Sequence, residues 1–142
     1  MAQIIFDYRQ INPRRPETAY PAADLWVRGK DRRYRLFKLH ADSGAAVSVL
    51  TASDALRLGL ELREGEPADL YGVSGTLKAY VHWVSAKIGK KEFKTSVAFS
   101  VSDETPRLLG RKDLFKYFVV SFRESKKKTY FTEEPTKEIS LR

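Results

Sequence analysis

The stretch from Leu39 to Leu50, which reads LHADSGAAVSVL, decides how this chain is interpreted. A predicted strand leads into Asp42, Gly44 allows a sharp turn, and apolar residues resume at Val47. This pattern predicts one carboxylate at the mouth of a tight loop that is held from both sides. Alone, an Asp-Ser-Gly triplet indicates only a turn, because Asp and Ser side chains bond to nearby backbone amides.

Two further motifs follow the triplet and change its meaning. A glycine-flanked segment reads Gly72-Val73-Ser74-Gly75, and a later one, Leu108-Leu109-Gly110-Arg111, places two apolar residues before Gly-Arg. In this order, together with Asp42-Ser43-Gly44-Ala45, they resemble the motifs of the retropepsins, the retroviral-type aspartic proteases. The resemblance covers residues 22–131.

The resemblance implies a fold and a set of site residues. The fold is mostly β, a closed acid-protease-like β-barrel with one or two short helices and one domain per chain. Asp42 is the implied catalytic residue, in a catalytic loop supported by Ser43, Gly44 and Ala45. Residues 72–75 are the implied flap over the substrate, and residues 108–111 are the run before the family's short C-terminal helix.

The implied activity is hydrolysis of peptide bonds by a pair of carboxylates. Without a metal or a cysteine, this reaction needs a base that activates water and an acid that protonates the substrate. Two carboxylates about 3 Å apart share one proton because both cannot readily ionise, as in aspartic proteases generally. The chain holds a single Asp-Ser-Gly triplet, so in this family a homodimer must bring two copies of Asp42 together across a two-fold axis. Ser43 then helps to lock the two loops.

Two positions depart from the retroviral pattern. The retroviral enzymes have acidic residues just after the motif, which pair with the later arginine, whereas this chain has Ala46 and Val47. We therefore expect Arg111 to lack that partner, unless Asp113 or a nearby acid compensates. His40 stands where an apolar residue is usual. Because residues i and i+2 of a strand share a face, His40 is a candidate pocket residue, with a partly exposed or hydrogen-bonded histidine as the simpler alternative.

Composition limits the class of protein. The 142 residues suit one domain, and 42% hydrophobic with 31% charged residues can build a core. No apolar run is long enough to cross a membrane as a helix, and the chain has no cysteine and two histidines. We expect no metal, no cofactor, no membrane contact and a cytoplasmic location. The net charge of +8 can attract nucleic acid, but the basic residues are scattered, so nucleic acid is an unlikely partner.

The chain divides by composition into an extended, proline-bearing N-terminal arm over residues 1–21, the retropepsin-like domain over residues 22–131, and a polar tail over residues 132–142. The arm is interpreted as a dimer strand or a pro-segment. Hairpins are predicted around residues 29–31, 89–91 and 125–128, after an N-terminal strand over Gln3–Tyr8. Residues 70–77 are predicted to form a glycine-bearing loop or a hairpin tip. Helices are predicted over Ser53–Leu58, capped by Ser53 and ended by Gly59, and over Lys112–Tyr117.

Three functions remain open from the sequence. The first is a homodimeric aspartic endopeptidase acting on peptides or proteins. The second is a retropepsin-like module that dimerises or binds peptides without cutting them. The third is a basic nucleic-acid-binding β-barrel in which the triplet is only a turn.

Overall fold

The computed structural model describes residues 3–10, 12–72, 75–112 and 115–134. Strands dominate this part of the chain, which has one α-helix. The elements are β1 (Gln3–Asp7), β2 (Ala22–Arg28), β3 (Tyr34–Ala41), β4 (Ser48–Thr51), α1 (Ala52–Arg57), β5 (Glu66–Gly72), β6 (Gly75–Ile88), β7 (Lys91–Ser100), β8 (Leu108–Leu109), β9 (Phe118–Arg123) and β10 (Lys128–Glu133). Short 3-10 turns occupy Pro16–Thr18, Leu62–Glu64 and Glu124–Lys126.

Seven strands form one curled sheet in the order β2-β3-β8-β4-β7-β6-β5. The sheet closes because β2 also pairs with β6, at Trp26–Lys87 and Val27–Ala86. Only the second half of the long strand β6 takes part in this closure. Its first half pairs with β5 as a hairpin, and residues 75–78 of this half extend beyond the pairing of β6 with β7. The predicted closed, mostly β barrel is therefore confirmed.

Alternating burial along the strands explains how the barrel forms. In β3, Phe37, Leu39 and Ala41 are buried, whereas Lys38 is exposed and His40 is half-buried between them. This two-residue period is what a strand with one face on a core requires. Side chains of β2, β4 and β7 fill the same core.

A second sheet, in the order β1-β10-β9, packs on the barrel. Its Phe131 is fully buried and lies edge-on to Phe6 and Phe118, with ring centroids 5.6 Å away in both cases. Phe118 in turn lies against Phe93 of the barrel, so the two sheets share one aromatic core. The predicted N-terminal strand thus pairs with β10 of its own chain.

The helix predictions were correct in part. The helix α1 exists and ends at a left-handed glycine as predicted, with φ +73° at Gly59. The predicted cap at Ser53 is wrong: Thr51 caps the helix in a reciprocal capping box with Asp54, and Ser53 bonds to Asp103 instead. The helix predicted over Lys112–Tyr117 is not formed by its described residues, which are turns; residues 113 and 114 lie outside the described residues.

No helix in the described ranges is long and apolar enough to cross a membrane.

Candidate active site

Asp42 lies directly after β3 at the first residue of a tight turn. Its backbone N–H donates to the carbonyl of Leu109 at 3.0 Å, and its own carbonyl accepts the N–H of Ala45 at 3.1 Å. One carboxylate oxygen, Oδ1, accepts the N–H of Gly44 at 2.9 Å. The side chain is half-buried. These bonds fix the position of the carboxylate, whose second oxygen accepts no hydrogen bond from the described residues.

The short strand β8 contacts this turn through the carbonyl of Leu109, which accepts the Asp42 N–H. It lies between β3 and β4, parallel to β3 at His40–Leu108 and Ala41–Leu109, and antiparallel to β4 at Val49–Leu108. The two-residue strand was not predicted as a strand, although its motif Leu108-Leu109-Gly110-Arg111 was identified. The fold thus brings the first and third sequence motifs into contact.

Gly110 is the point of closest approach between these motifs. A Cβ at this position would lie 2.3 Å from the carbonyl oxygen of Val47. The Gly110 N–H donates to the hydroxyl of Ser48 at 3.0 Å. The following N–H groups of Arg111 and Lys112 donate to the carbonyls of Ala45 and Ala46 at 3.0 and 2.7 Å. Only glycine fits between these two segments.

A cleft of about 700 Å³ opens beside the Asp42 turn. The hairpin of β5 and β6 forms one side of it, and the segment over residues 102–106 forms another. The hairpin ends where Gly72 pairs with Gly75, which confirms the predicted hairpin tip; Val73 and Ser74 lie outside the described residues. The lining residues are Gly44, Ala45, Ala46, Val47, Val49, Asp69, Leu70, Tyr71, Gly72, Gly75, Thr76, Leu77, Ser102, Glu104, Thr105, Pro106 and Leu108.

Three predicted site residues lie at or beyond the edge of this cleft. Ser43 is exposed, and its hydroxyl makes no hydrogen bond within the described part of the chain. His40 does not line the cleft; its ring packs on that of Tyr20 with centroids 4.9 Å apart. Arg111 is exposed, and its guanidinium forms no ion pair with any described residue.

An ion pair that was not predicted from the sequence lies close to the site. The guanidinium of Arg107 donates from Nε and Nη2 to the two carboxylate oxygens of Asp54, at 2.8 and 2.9 Å. Asp54 has no exposed surface. Burial raises the pKa of Asp54, but the hydrogen bonds from Arg107 and Thr51 outweigh it and hold the pKa below its ordinary value. The spacing of Thr51 and Asp54 is typical of a capping box, so the sequence could have indicated a structural role for Asp54. No sequence pattern near Asp54 indicates that Arg107 is its partner.

The site holds one carboxylate in its turn. Within the described ranges, no group of three His, Cys, Asp or Glu side chains is placed to hold a metal ion. Asp42 is the carboxylate held in the turn beside the cleft, and each chain supplies one such turn.

Comparison with known proteins gives the family. The sequence profile of a family described as aspartyl protease matches residues 24–112. A crystal structure of a retropepsin-like aspartic protease from Rickettsia conorii is 26% identical, with a TM-score of 0.66 over 92% of this chain and 98% of that one. An inhibitor complex of the EIAV protease shares the fold, with 22% identity and a TM-score of 0.51 over 68% of this chain and 86% of that one. No curated protein sequence matches the chain. This chain therefore belongs to the aspartyl protease family and has the retropepsin-like fold.

Proposed function

We propose that the protein is a homodimeric aspartic endopeptidase in which each chain contributes Asp42. The supporting observation is the Asp42 turn itself: a half-buried carboxylate, held by the Gly44 N–H at 2.9 Å, beside a cleft that has the β5–β6 hairpin as one side. One chain supplies one such turn, so a second copy must supply the other carboxylate. The free hydroxyl of Ser43 suits a hydrogen bond across the two-fold axis.

The proposed reaction uses the two Asp42 carboxylates as one unit with one shared proton. The ionised carboxylate takes a proton from a water molecule, whose oxygen attacks the scissile carbonyl carbon. The protonated carboxyl donates to the carbonyl oxygen, which gives a tetrahedral diol. The diol then collapses as the C–N bond breaks. The carboxyl that took the proton from water donates it to the leaving nitrogen, and one diol hydroxyl gives its proton to the other carboxylate as the C=O bond reforms, which restores the shared proton.

The cleft suits an extended peptide with an apolar side chain. Val49, Leu70, Leu77 and Leu108 supply apolar lining, and the hairpin supplies backbone groups from Gly72 and Gly75. Closure of the hairpin tip over the peptide excludes water from the reacting bond.

The first test is cleavage of a mixed peptide library by the wild type and by Asp42→Asn. We expect the wild type to cleave peptides. Both the substitution Asp42→Asn and a statine-type transition-state mimic are expected to abolish this cleavage. Asp24→Asn is the matched control, because Asp24 lies on β2 and pairs with Lys38 at 3.3 Å, outside the lining of the cleft. Cleavage that persists in Asp42→Asn contradicts the proposal.

A mixing experiment tests the dimer separately. If the active unit is a dimer, an equal amount of Asp42→Asn chain lowers the activity of a fixed amount of wild type about twofold after subunit exchange, because random pairing sequesters wild-type chains. A large excess of the variant suppresses activity further. Activity that is indifferent to the added variant at complete exchange shows that one chain suffices.

A non-catalytic, peptide-binding module is the second candidate. Ala46 and Val47 replace the acids of the retroviral pattern, and the Arg111 guanidinium has no ion pair with the described residues. This candidate predicts no cleavage in the library experiment, together with binding of a fluorescently labelled peptide that fluorescence anisotropy detects.

A further inference from the structure

Two side-chain contacts tie the first turn of α1 to the segment that precedes β8. The backbone N–H and the hydroxyl of Ser53 donate to the two carboxylate oxygens of Asp103, at 2.8 and 2.6 Å. One residue further along the helix, Asp54 accepts both bonds from Arg107. The helix thus holds both ends of the segment 103–107, part of which forms a wall of the cleft.

Arg107 connects this anchor to the Asp42 turn through the backbone. Its carbonyl accepts the N–H of His40 at 2.9 Å, and two residues later the carbonyl of Leu109 accepts the N–H of Asp42 at 3.0 Å. Any shift of Arg107 along the chain direction therefore moves the acceptors that hold the end of β3.

The Asp54 end of the pair is buried and hydrogen-bonded to the backbone. Asp54 has no exposed surface, and the Thr51 N–H donates to its Oδ2 at 3.0 Å. A bidentate guanidinium–carboxylate pair fixes orientation as well as distance, which a single contact does not. Asp54 also belongs to the capping box that begins α1, so the pair joins the start of the helix to the residue that precedes β8.

We propose that the Asp54–Arg107 pair positions Asp42. The pair holds β8 where the Leu109 carbonyl can accept the backbone N–H of Asp42. The inference builds on the proposed function, because positioning matters for turnover only if Asp42 is catalytic. Neither residue of the pair touches the substrate, and both act through β8.

The kinetic expectation is a loss in kcat with little change in KM. Arg107→Met lowers kcat about tenfold or more, since small misplacements of a reacting group are costly, and changes KM less than about twofold. Arg107→Lys restores part of kcat, because lysine keeps the charge without the two-pronged geometry. All rates are measured where sedimentation shows complete dimer.

A double variant separates positioning from stability. Asp54→Asn/Arg107→Met leaves no buried charge unpaired, and the amide oxygen can still accept the Thr51 N–H. The proposal predicts that the urea midpoint recovers relative to Arg107→Met while kcat stays low. Recovery of kcat together with the midpoint overturns it.

Amide hydrogen exchange gives a readout that needs no activity. The proposal predicts that Arg107→Met accelerates exchange of the His40 and Asp42 amides about tenfold or more relative to the β6–β7 amides. Arg35→Gln is the matched control. Arg35 lies on β3 and donates from both Nη atoms to the two carboxylate oxygens of Asp31, in the β2–β3 turn, at 2.9 and 2.7 Å.

The exchange outcomes separate this inference from the proposed function. Equal acceleration throughout the chain, or none at His40 and Asp42, overturns the positioning role even in an active enzyme. An inactive wild type overturns the proposed function, while the exchange pattern still decides whether the pair holds Asp42.

Discussion

Replacing Gly110 by alanine perturbs the contact between the two motifs that build the Asp42 turn. The added Cβ would lie 2.3 Å from the oxygen, 2.4 Å from the carbon and 2.9 Å from the nitrogen of Val47. Ordinary Cβ contacts begin at 3.4 Å, and all three atoms are backbone, so no side-chain rotation relieves the clash. The loop over residues 45–47 must move by about 1 Å.

The magnitude follows from what this movement breaks. Three hydrogen bonds join the two segments: Gly110 to Ser48, Arg111 to Ala45, and Lys112 to Ala46. At about 1 kcal/mol for each bond, the variant loses about 3 kcal/mol of unfolding free energy. The melting temperature then falls by about 10 °C for a chain of this size. A displacement of about 1 Å next to Asp42 lowers kcat about 100-fold.

The assay is urea denaturation at fixed protein concentration, followed by peptide cleavage at complete dimer. Gly72→Ala is the stability control, because a Cβ added at Gly72 would have no described residue within 4 Å apart from its chain neighbours. That control is expected to change the unfolding free energy by less than about 0.5 kcal/mol. If Gly110→Ala matches the wild type in stability and turnover, the proposed close approach of the two motifs is refuted.

Two further predictions concern the helix that anchors the site. Because the folded state holds the pKa of Asp54 below its ordinary value of about 3.9, the folded chain binds this proton less readily than the unfolded chain, and the stability from Asp54 is lost as the pH falls below about 4. Urea midpoints between pH 6 and pH 3 should therefore fall further for the wild type than for Asp54→Asn/Arg107→Met, and parallel curves exclude this role. Thr51→Ala removes the helix cap and should cost about 1 kcal/mol of unfolding free energy, whereas Ser53→Ala is expected to cost less because Ser53 is not the cap. The opposite ranking of these two variants contradicts the capping assignment.

Features set by local chemistry were predictable from the sequence. The Asp42 turn and the hairpin tip at Gly72 and Gly75 depend on turn-forming residues and flanking apolar strands, which short windows of sequence reveal. The left-handed end of α1 at Gly59 has the same local origin. These elements therefore follow from a few residues each.

Features set by distant partners were not predictable in the same way. Ser53 and Thr51 are both good caps, and Asp103, fifty residues away, decides between them by bonding to Ser53. The pairing of Asp54 with Arg107 spans a similar separation and joins the helix to the residue that precedes β8. The pairing of β1 with β10 joins the two ends of the described chain. No window of sequence contains both members of these pairs.

A crystal structure of the dimer would show whether two copies of Asp42 form one catalytic pair. The quantity to measure is the distance between their carboxyl groups. We expect the two carboxyl groups to face each other across a two-fold axis, about 3 Å apart, as one shared proton requires. Carboxyl groups that lie far apart in every assembly of an enzyme that nevertheless cleaves peptides would contradict it.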